Sequence, residues 1–287
     1  MNRMLLAVWL AASSAVHGAE PAQPEPEEAD RGAAASAVGE TVFELSPVLI
    51  DTQDGAGATL GLEFLARGAL VSWDLSTEDT GDDFDLDARL GDLRLEYEAK
   101  GALTADSERN PKNLLEATLA LSYYFQQDFG AFAGGGFVSY ESDQSFDDKQ
   151  TVYGLGVTYA KVNVPFKNDV FAVDARRGQI DPTDDAERAA VLGAVSLDKY
   201  YRTDLEVLYI HPLDWKQLVR TLEFNYRYFR ESSPAAPVEA AGLDRFQLIT
   251  YRIGLPRDLF VAYSTGKLPF DRQSDRIFEV GLTYKLQ

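Results

Sequence analysis

The stretch Phe278-Glu279-Val280-Gly281-Leu282-Thr283-Tyr284-Lys285-Leu286-Gln287 decides the fold. Phe278, Val280, Leu282, Tyr284 and Leu286 fall on one face of an extended chain, while Glu279, Gly281, Thr283, Lys285 and Gln287 fall on the other. Side chains alternate across a strand with period two, so this segment is a strand with one apolar and one wet face.

The same alternation recurs upstream. Ala117, Leu119, Leu121, Tyr123 and Phe125 oppose Glu116, Thr118, Ala120, Ser122 and Tyr124. Leu222, Phe224, Tyr226 and Tyr228 oppose Thr221, Glu223, Asn225 and Arg227. Leu205, Val207 and Tyr209 oppose Arg202, Asp204 and Glu206, and Leu93, Leu95 and Tyr97 oppose Arg94, Glu96 and Glu98. Fourteen candidate strands stand between residues 42 and 286, separated by Gly, Asp, Asn and Pro clusters. Two of them, 57–66 and 69–76, read equally as one strand broken at Arg67-Gly68, and 188–198 runs poorly resolved into 200–211. Closed barrels of single bacterial chains take even strand numbers, so twelve is the expected count and fourteen the alternative.

A soluble sandwich also alternates, so other features must place the sheet. The strands run about 10 to 14 residues, enough for a tilted crossing of a bilayer. Aromatic residues gather near their ends, as in the girdles at a membrane interface. The chain also ends within a strand. Met1 to Ala19 reads as a secretory signal peptide, with Arg3 before an apolar core from Met4 to Ala12 and cleavage after Gly18 or Ala19. Residues 20–40 are rich in Pro, Ala and Glu and hold no aromatic residue, which predicts a disordered acidic tail on the periplasmic side. Residues 41–287 then form the barrel.

In these features the sequence resembles the bacterial outer-membrane β-barrel proteins over about residues 41–287. The resemblance implies an all-β fold, a transmembrane antiparallel β-barrel in the Gram-negative outer membrane, bounded by lipid and lipopolysaccharide. It also implies that the row Phe278, Val280, Leu282, Tyr284 and Leu286 is the closing-strand signal presented to the barrel-assembly machinery. In that family the last residue is usually Phe, whereas here Leu286 ends the apolar row and Gln287 follows.

Composition narrows the function classes. The chain carries 46 Asp+Glu against 27 Lys+Arg, a formal charge of −19, which repels the phosphates of nucleic acid. It has no cysteine, excluding disulfides and thiolate metal sites. A mean hydropathy of −0.22 and the lack of an apolar run of spanning length exclude a helical membrane protein. Aromatic residues at 11% are too many for a disordered chain. The acid excess lies before residue 150, much of it in the tail and in the run from Asp74 to Asp87. That run lacks the alternating ligands and central Gly of a calcium loop and reads as a solvated, self-repelling loop.

The wet faces carry both signs: Arg94, Glu96, Glu98, Glu116, Arg202, Asp204, Glu206, Glu223, Arg227, Arg252, Glu279 and Lys285. In a barrel these line the lumen. If acids and bases pair across it, the interior is a plug and the barrel a non-conducting scaffold. If they line separate walls, a transverse field crosses a water-filled pore. About twelve strands leave room for a channel. The expectation is therefore a passive porin-like channel with a mixed-charge, cation-leaning lumen, monomeric and without cofactor. A structural or interaction barrel, such as a solitary autotransporter-like one, is the alternative.

Enzymes exist among such barrels, and their catalytic patterns turn on a histidine. His211 is the one histidine after the signal segment, at a strand end running into Pro212. The lipid A deacylase pattern wants Ser two residues after the His, but Leu213 stands there; the barrel-protease pattern wants an acid two residues before it, but Tyr209 stands there. A lipid-modifying enzyme using His211 is the weakest alternative. Gly134-Gly135-Gly136 and Gly154-x-Gly156 lie within strand patterns and precede no helix, so they mark bends or close backbone approach rather than a phosphate loop.

Overall fold

The computed structural model describes residues 35–37, 41–52, 58–75, 91–107, 110–127, 129–194, 196–215, 218–271 and 275–286. The signal-peptide segment 1–19, all of the tail but Ala35–Ala37, and most of the acidic run 74–87 lie outside these residues.

Twelve antiparallel strands close into a barrel. They are β2 (Val42–Thr52), β3 (Thr59–Asp74), β4 (Asp92–Thr104), β5 (Leu115–Gln127), β6 (Gly130–Ser142), β7 (Lys149–Val162), β8 (Val170–Asp184), β9 (Tyr200–Trp215), β10 (Val219–Ser232), β11 (Arg245–Gly254), β12 (Leu259–Lys267) and β13 (Asp275–Leu282), the last continued by β14 (Tyr284–Leu286). Each pairs with its sequence neighbour, and β13 and β14 return to β2 through Val280 opposite Leu49 and Tyr284 opposite Leu45. Continuing that register puts Leu282 opposite Pro47, which has no N–H to give, and the ladder is interrupted there. Thr283 N bonds instead to Asp258 O in the neighbouring turn. A short strand, β1 (Ala35–Ala37), pairs with Val71–Trp73 of β3.

The ambiguous segments resolve to twelve strands. The pieces 57–66 and 69–76 are one strand, β3, with a register shift between Ala69 and Val71 that leaves Leu70 as a bulge. The candidate strand 188–198 is not a strand. Its first part belongs to α1 (Ala186–Leu192), where Asp185 caps the N-terminus by accepting from Arg188 N and Gly193 closes the C-terminus in the left-handed conformation.

Alternate residues point outward and inward, and the outward row is apolar. Leu155 and Val157 on β7 are 71% and 62% exposed. Leu119, Leu121, Val138, Leu222, Ile253, Val261 and Val280 are also exposed, from strands around the barrel. A contiguous apolar surface of this extent on a ladder that closes on itself, with no open sheet edge among the described strands, spans a bilayer. No described helix is long and apolar enough to do so. An aromatic cluster of Phe125, Phe129, Phe132 and Tyr159 sits at one rim, with ring centroids about 5 Å apart.

Short turns mark that rim: 128–129, 163–169, 216–218 and 255–258. The connections 105–114, 143–148, 185–199, 233–244 and 268–274 lie at the opposite rim, the outer one by the usual asymmetry of such barrels. The sequence also predicts surface loops around 77–83, 100–112, 142–149, 231–242 and 267–275, and the last four of these share one side. The first such stretch, 77–83, lies outside the described residues.

One wall is built from glycine. Gly135 pairs with Gly156, and Gly154 with Gly178, across β6, β7 and β8. A Cβ on Gly135 would stand 1.9 Å from Leu121 O, and one on Gly154 would stand 2.1 Å from Arg177 O. The strands approach more closely there than any side chain allows.

Candidate functional site

The barrel interior is the candidate site, and the inward rows of its strands carry the charges. Glu116 on β5 meets Arg227 on β10 at 2.9 Å, joining strands from opposite walls. Lys100 on β4 stands 3.2 Å from the same carboxylate and Arg176 on β8 stands 3.7 Å from it. Nearer the outer rim, Arg202 on β9 grips Glu141 on β6 through two bonds of 3.0 and 2.6 Å and also holds Asp204. Both guanidiniums lie on one ring: Arg202 is 4.9 Å and Arg227 5.1 Å from the centre of Phe229.

Phe229 belongs to a buried apolar cluster with Leu114, Leu248 and Leu268, against which Phe246 and Phe270 pack. Three of these residues, Leu114, Leu268 and Phe270, come from loops that fold inward. The 105–114 loop is pinned at several points: Asn110 Nδ2 donates to Ala102 O and to Gln144 Oε1, and Asn113 N donates to Asp271 Oδ1. From the same loop Lys112 Nζ reaches Glu63 Oε1 on β3 and Glu279 Oε2 on β13, both at 2.7 Å.

This cluster stands between two cavities. A vestibule of about 430 Å³ at the outer rim is lined by Asp148, Asp185, Arg188, Tyr200, Phe246 and Phe270 among others. A chamber of about 150 Å³ inside the barrel is lined by Leu65, Lys112, Leu114, Leu248, Phe260 and Glu279 among others. Arg188 on α1 closes bidentately on Glu231 of β10 at 2.9 and 2.8 Å and lies 4.0 Å from the centre of the Tyr200 ring, which fixes the helix over the vestibule. Burial pushes the Asp185 carboxyl up, and the charges of Asp148 and Glu187 add to that, against the bond it accepts from Arg188 N.

The charged residues singled out in the sequence fall as follows. Glu96, Glu98, Glu116, Arg202, Glu206 and Glu279 are buried. Tyr124 donates to Glu96, Lys100 stands 3.3 Å from Glu98, and Asn225 donates to Glu206. Arg94 pairs with Asp92, Glu223 accepts from Thr221, and Arg252 bonds Thr283 while stacking 3.7 Å from the centre of Phe260. Lys285 is 61% exposed near the short-turn rim, with Glu44 3.3 Å away. In the closing row Phe278, Val280, Tyr284 and Leu286 are exposed and Leu282 is half-buried.

Sequence reasoning missed Lys100, Lys112, Asp174, Arg176, Glu141 and Glu231. Asp174 and Arg176 hold each other at 2.7 Å, two residues apart on β8. Lys112 follows a proline in a connection and carried no signal.

His211 lies at the short-turn rim, where its Nδ1 stands 2.6 Å from Asp169 Oδ1. Tyr209 donates to Asp169 Oδ2 at 2.6 Å, and Phe166 N donates to the same oxygen. The fully buried Asp169 thus ties the 163–169 turn to the end of β9. Burial raises its carboxyl, but the bonds from Tyr209 and His211 outweigh this and hold it below the usual carboxylate range.

No protein-family model matches the sequence, and no curated protein does. Solved structures share its architecture at low identity. OmpT, an outer membrane protein of Vibrio cholerae in trimer form, is 11% identical over 88% of this chain and 100% of its own, with a TM-score of 0.42. An outer membrane channel from Pseudomonas putida F1 is 13% identical over 90% of this chain and 99% of its own, with a TM-score of 0.39. The transport unit of the autotransporter AIDA-I from Escherichia coli is 11% identical over 86% of this chain and 89% of its own, with a TM-score of 0.30. At these values the likeness is one of barrel architecture alone. The closed ladder and the apolar belt make this chain an integral outer-membrane barrel.

Proposed function

We propose that the protein is a narrow port for small solutes whose resting lumen is shut by paired charges and a buried aromatic cluster. The observation that carries this reading is Phe229, held between Arg202 and Arg227 and packed with Leu114, Leu248 and Leu268 between the vestibule and the inner chamber. A hydrated ion crossing there must displace apolar side chains and break charge pairs in a medium of low dielectric. Cavities on both sides of the barrier favour a conduit over a filled scaffold. Among the named lumen groups acids outnumber bases, so the open state prefers cations. The apolar closing row from Phe278 to Leu286 serves assembly, and the outer loops face lipopolysaccharide.

The cross-lumen pairs favour a second reading, a sealed scaffold. Conductance in a planar bilayer under a salt gradient separates the two, using the folded wild type and F229A. The port predicts rare or small steps in the wild type and steady, larger, cation-preferring steps in F229A. Large ohmic steps in the wild type would mean an open pore, and silence in both proteins would mean a scaffold.

A further inference from the structure

The inner chamber holds an unmet demand for a hydrogen-bond donor. Glu279 is 1% exposed and lines the chamber, and its Oε1 has no hydrogen-bond partner among the described residues. A buried carboxylate oxygen without a donor is costly, so the site favours a molecule that brings one. The local charges say which kind. Glu63 and Glu279 share the one ammonium of Lys112, each at 2.7 Å. Glu44 lines the same chamber, with the largely exposed Lys285 3.3 Å away and the buried Arg67 guanidinium also acting on it. Arg252 adds one positive charge, bonded to Thr283 and stacked on Phe260. Lys100 and Arg227 also line the chamber, and both are engaged by Glu116. Around Oε1 itself, Glu63 and Glu279 thus share one ammonium, and a donor that brings a positive charge suits that oxygen better than a neutral one. The remaining wall is apolar, from Leu65, Leu114, Leu248, Phe260 and Leu268, all buried.

We propose that this chamber binds a small organic ammonium ion, its nitrogen donating to Glu279 Oε1 and its apolar body lying against Leu65, Leu248 and Phe260. The space of about 150 Å³ suits a body of benzene size, since dry cavities of about that volume take benzene. A carboxylate ligand would meet Glu279 and Glu63 as like charges, and a purely apolar one would leave Oε1 without a donor.

The test uses the heat-dependent gel migration of the folded barrel, which needs no conduction, so its outcome is independent of the port reading. The midpoint of the transition is measured for the wild type, E279Q and E96Q with benzylamine at neutral pH, with benzyl alcohol, and with benzoate. Benzylamine should raise the midpoint of the wild type and E96Q by a few degrees and leave E279Q unmoved, because a ligand that binds only the folded state stabilises it. An equal rise with benzyl alcohol, no rise in the wild type, or a rise retained in E279Q would each overturn the proposal. If E279Q gives no heat-modifiable band, L248F takes its place: it fills the apolar wall and must abolish the rise.

Discussion

Glu116 and Arg227, on β5 and β10, meet at 2.9 Å across the barrel, and the same carboxylate stands within 4 Å of Lys100 and Arg176. One acid therefore holds three cations from three walls. Replacing Glu116 by Ala takes from buried Arg227 its 2.9 Å partner and from Lys100 and Arg176 one of their two acids, a loss on the order of 3–5 kcal/mol by the usual cost of breaking a buried pair. The double variant E116Q/R227Q removes charge from both sides and should cost less than the single one. Comparing the midpoints of heat-dependent gel migration checks the order, and equal midpoints for E116A and wild type would show that the node is not needed for stability.

Lys112 fastens the inward loop to β3 and β13 through Glu63 and Glu279. In K112A these two carboxylates face each other without their cation, and the loop loses its deepest contact. The loop should then spend more time outside the lumen. Limited proteolysis of the folded barrel from the outer side should cut within 105–114 faster in K112A than in wild type. Unchanged cleavage would place the hold on the loop in Asn110, Asn113 and Leu114 instead.

Much of this architecture was legible because a barrel writes its period into the chain. The outward rows at Leu119 and Leu121 or at Phe278 and Val280 are what the sequence predicts, since lipid rewards apolar residues on one face only. The alternation slips at β3, where the extra Leu70 shifts the phase by one residue and makes one strand look like two. The run after Asp184 misled for another reason. Ala189, Ala190, Val191 and Leu192 suit a strand or a helix, and the deciding marks are the cap at Asp185 and the stop at Gly193. The lumen was legible as residue types but not as pairs. Glu116 and Arg227 are 111 residues apart and Lys112 and Glu279 are 167 apart, and no local pattern encodes which side of a lumen a charge will meet.

Asp169 predicts a pH dependence. Its carboxyl is held below the ordinary value in the folded protein, so its stabilising bonds to Tyr209 and His211 are fully present above the unfolded pKa of about 4. They are lost as pH falls through the lower folded value. D169N should therefore destabilise the barrel near neutral pH and flatten the acid limb of its stability profile. An acid limb in D169N with the same slope as in wild type would assign that limb to other carboxylates.

The glycine wall gives a comparison between neighbours in one strand. A Cβ at Gly135 would overlap Leu121 O at 1.9 Å, whereas at Gly134 and Gly136 the nearest atoms would be 3.7 and 3.8 Å away, ordinary contact distances. G135A must push β5 and β6 apart, costing at least the roughly 1–3 kcal/mol of an overpacked site. G136A removes backbone freedom from the unfolded chain and meets no obstacle, so it should be neutral or slightly stabilising. Folding yield and the heat-migration midpoint of the two variants should diverge in that order. If G135A folds as well as G136A, β5 and β6 do not approach as closely as described, and the bend that shapes this wall of the lumen lies elsewhere.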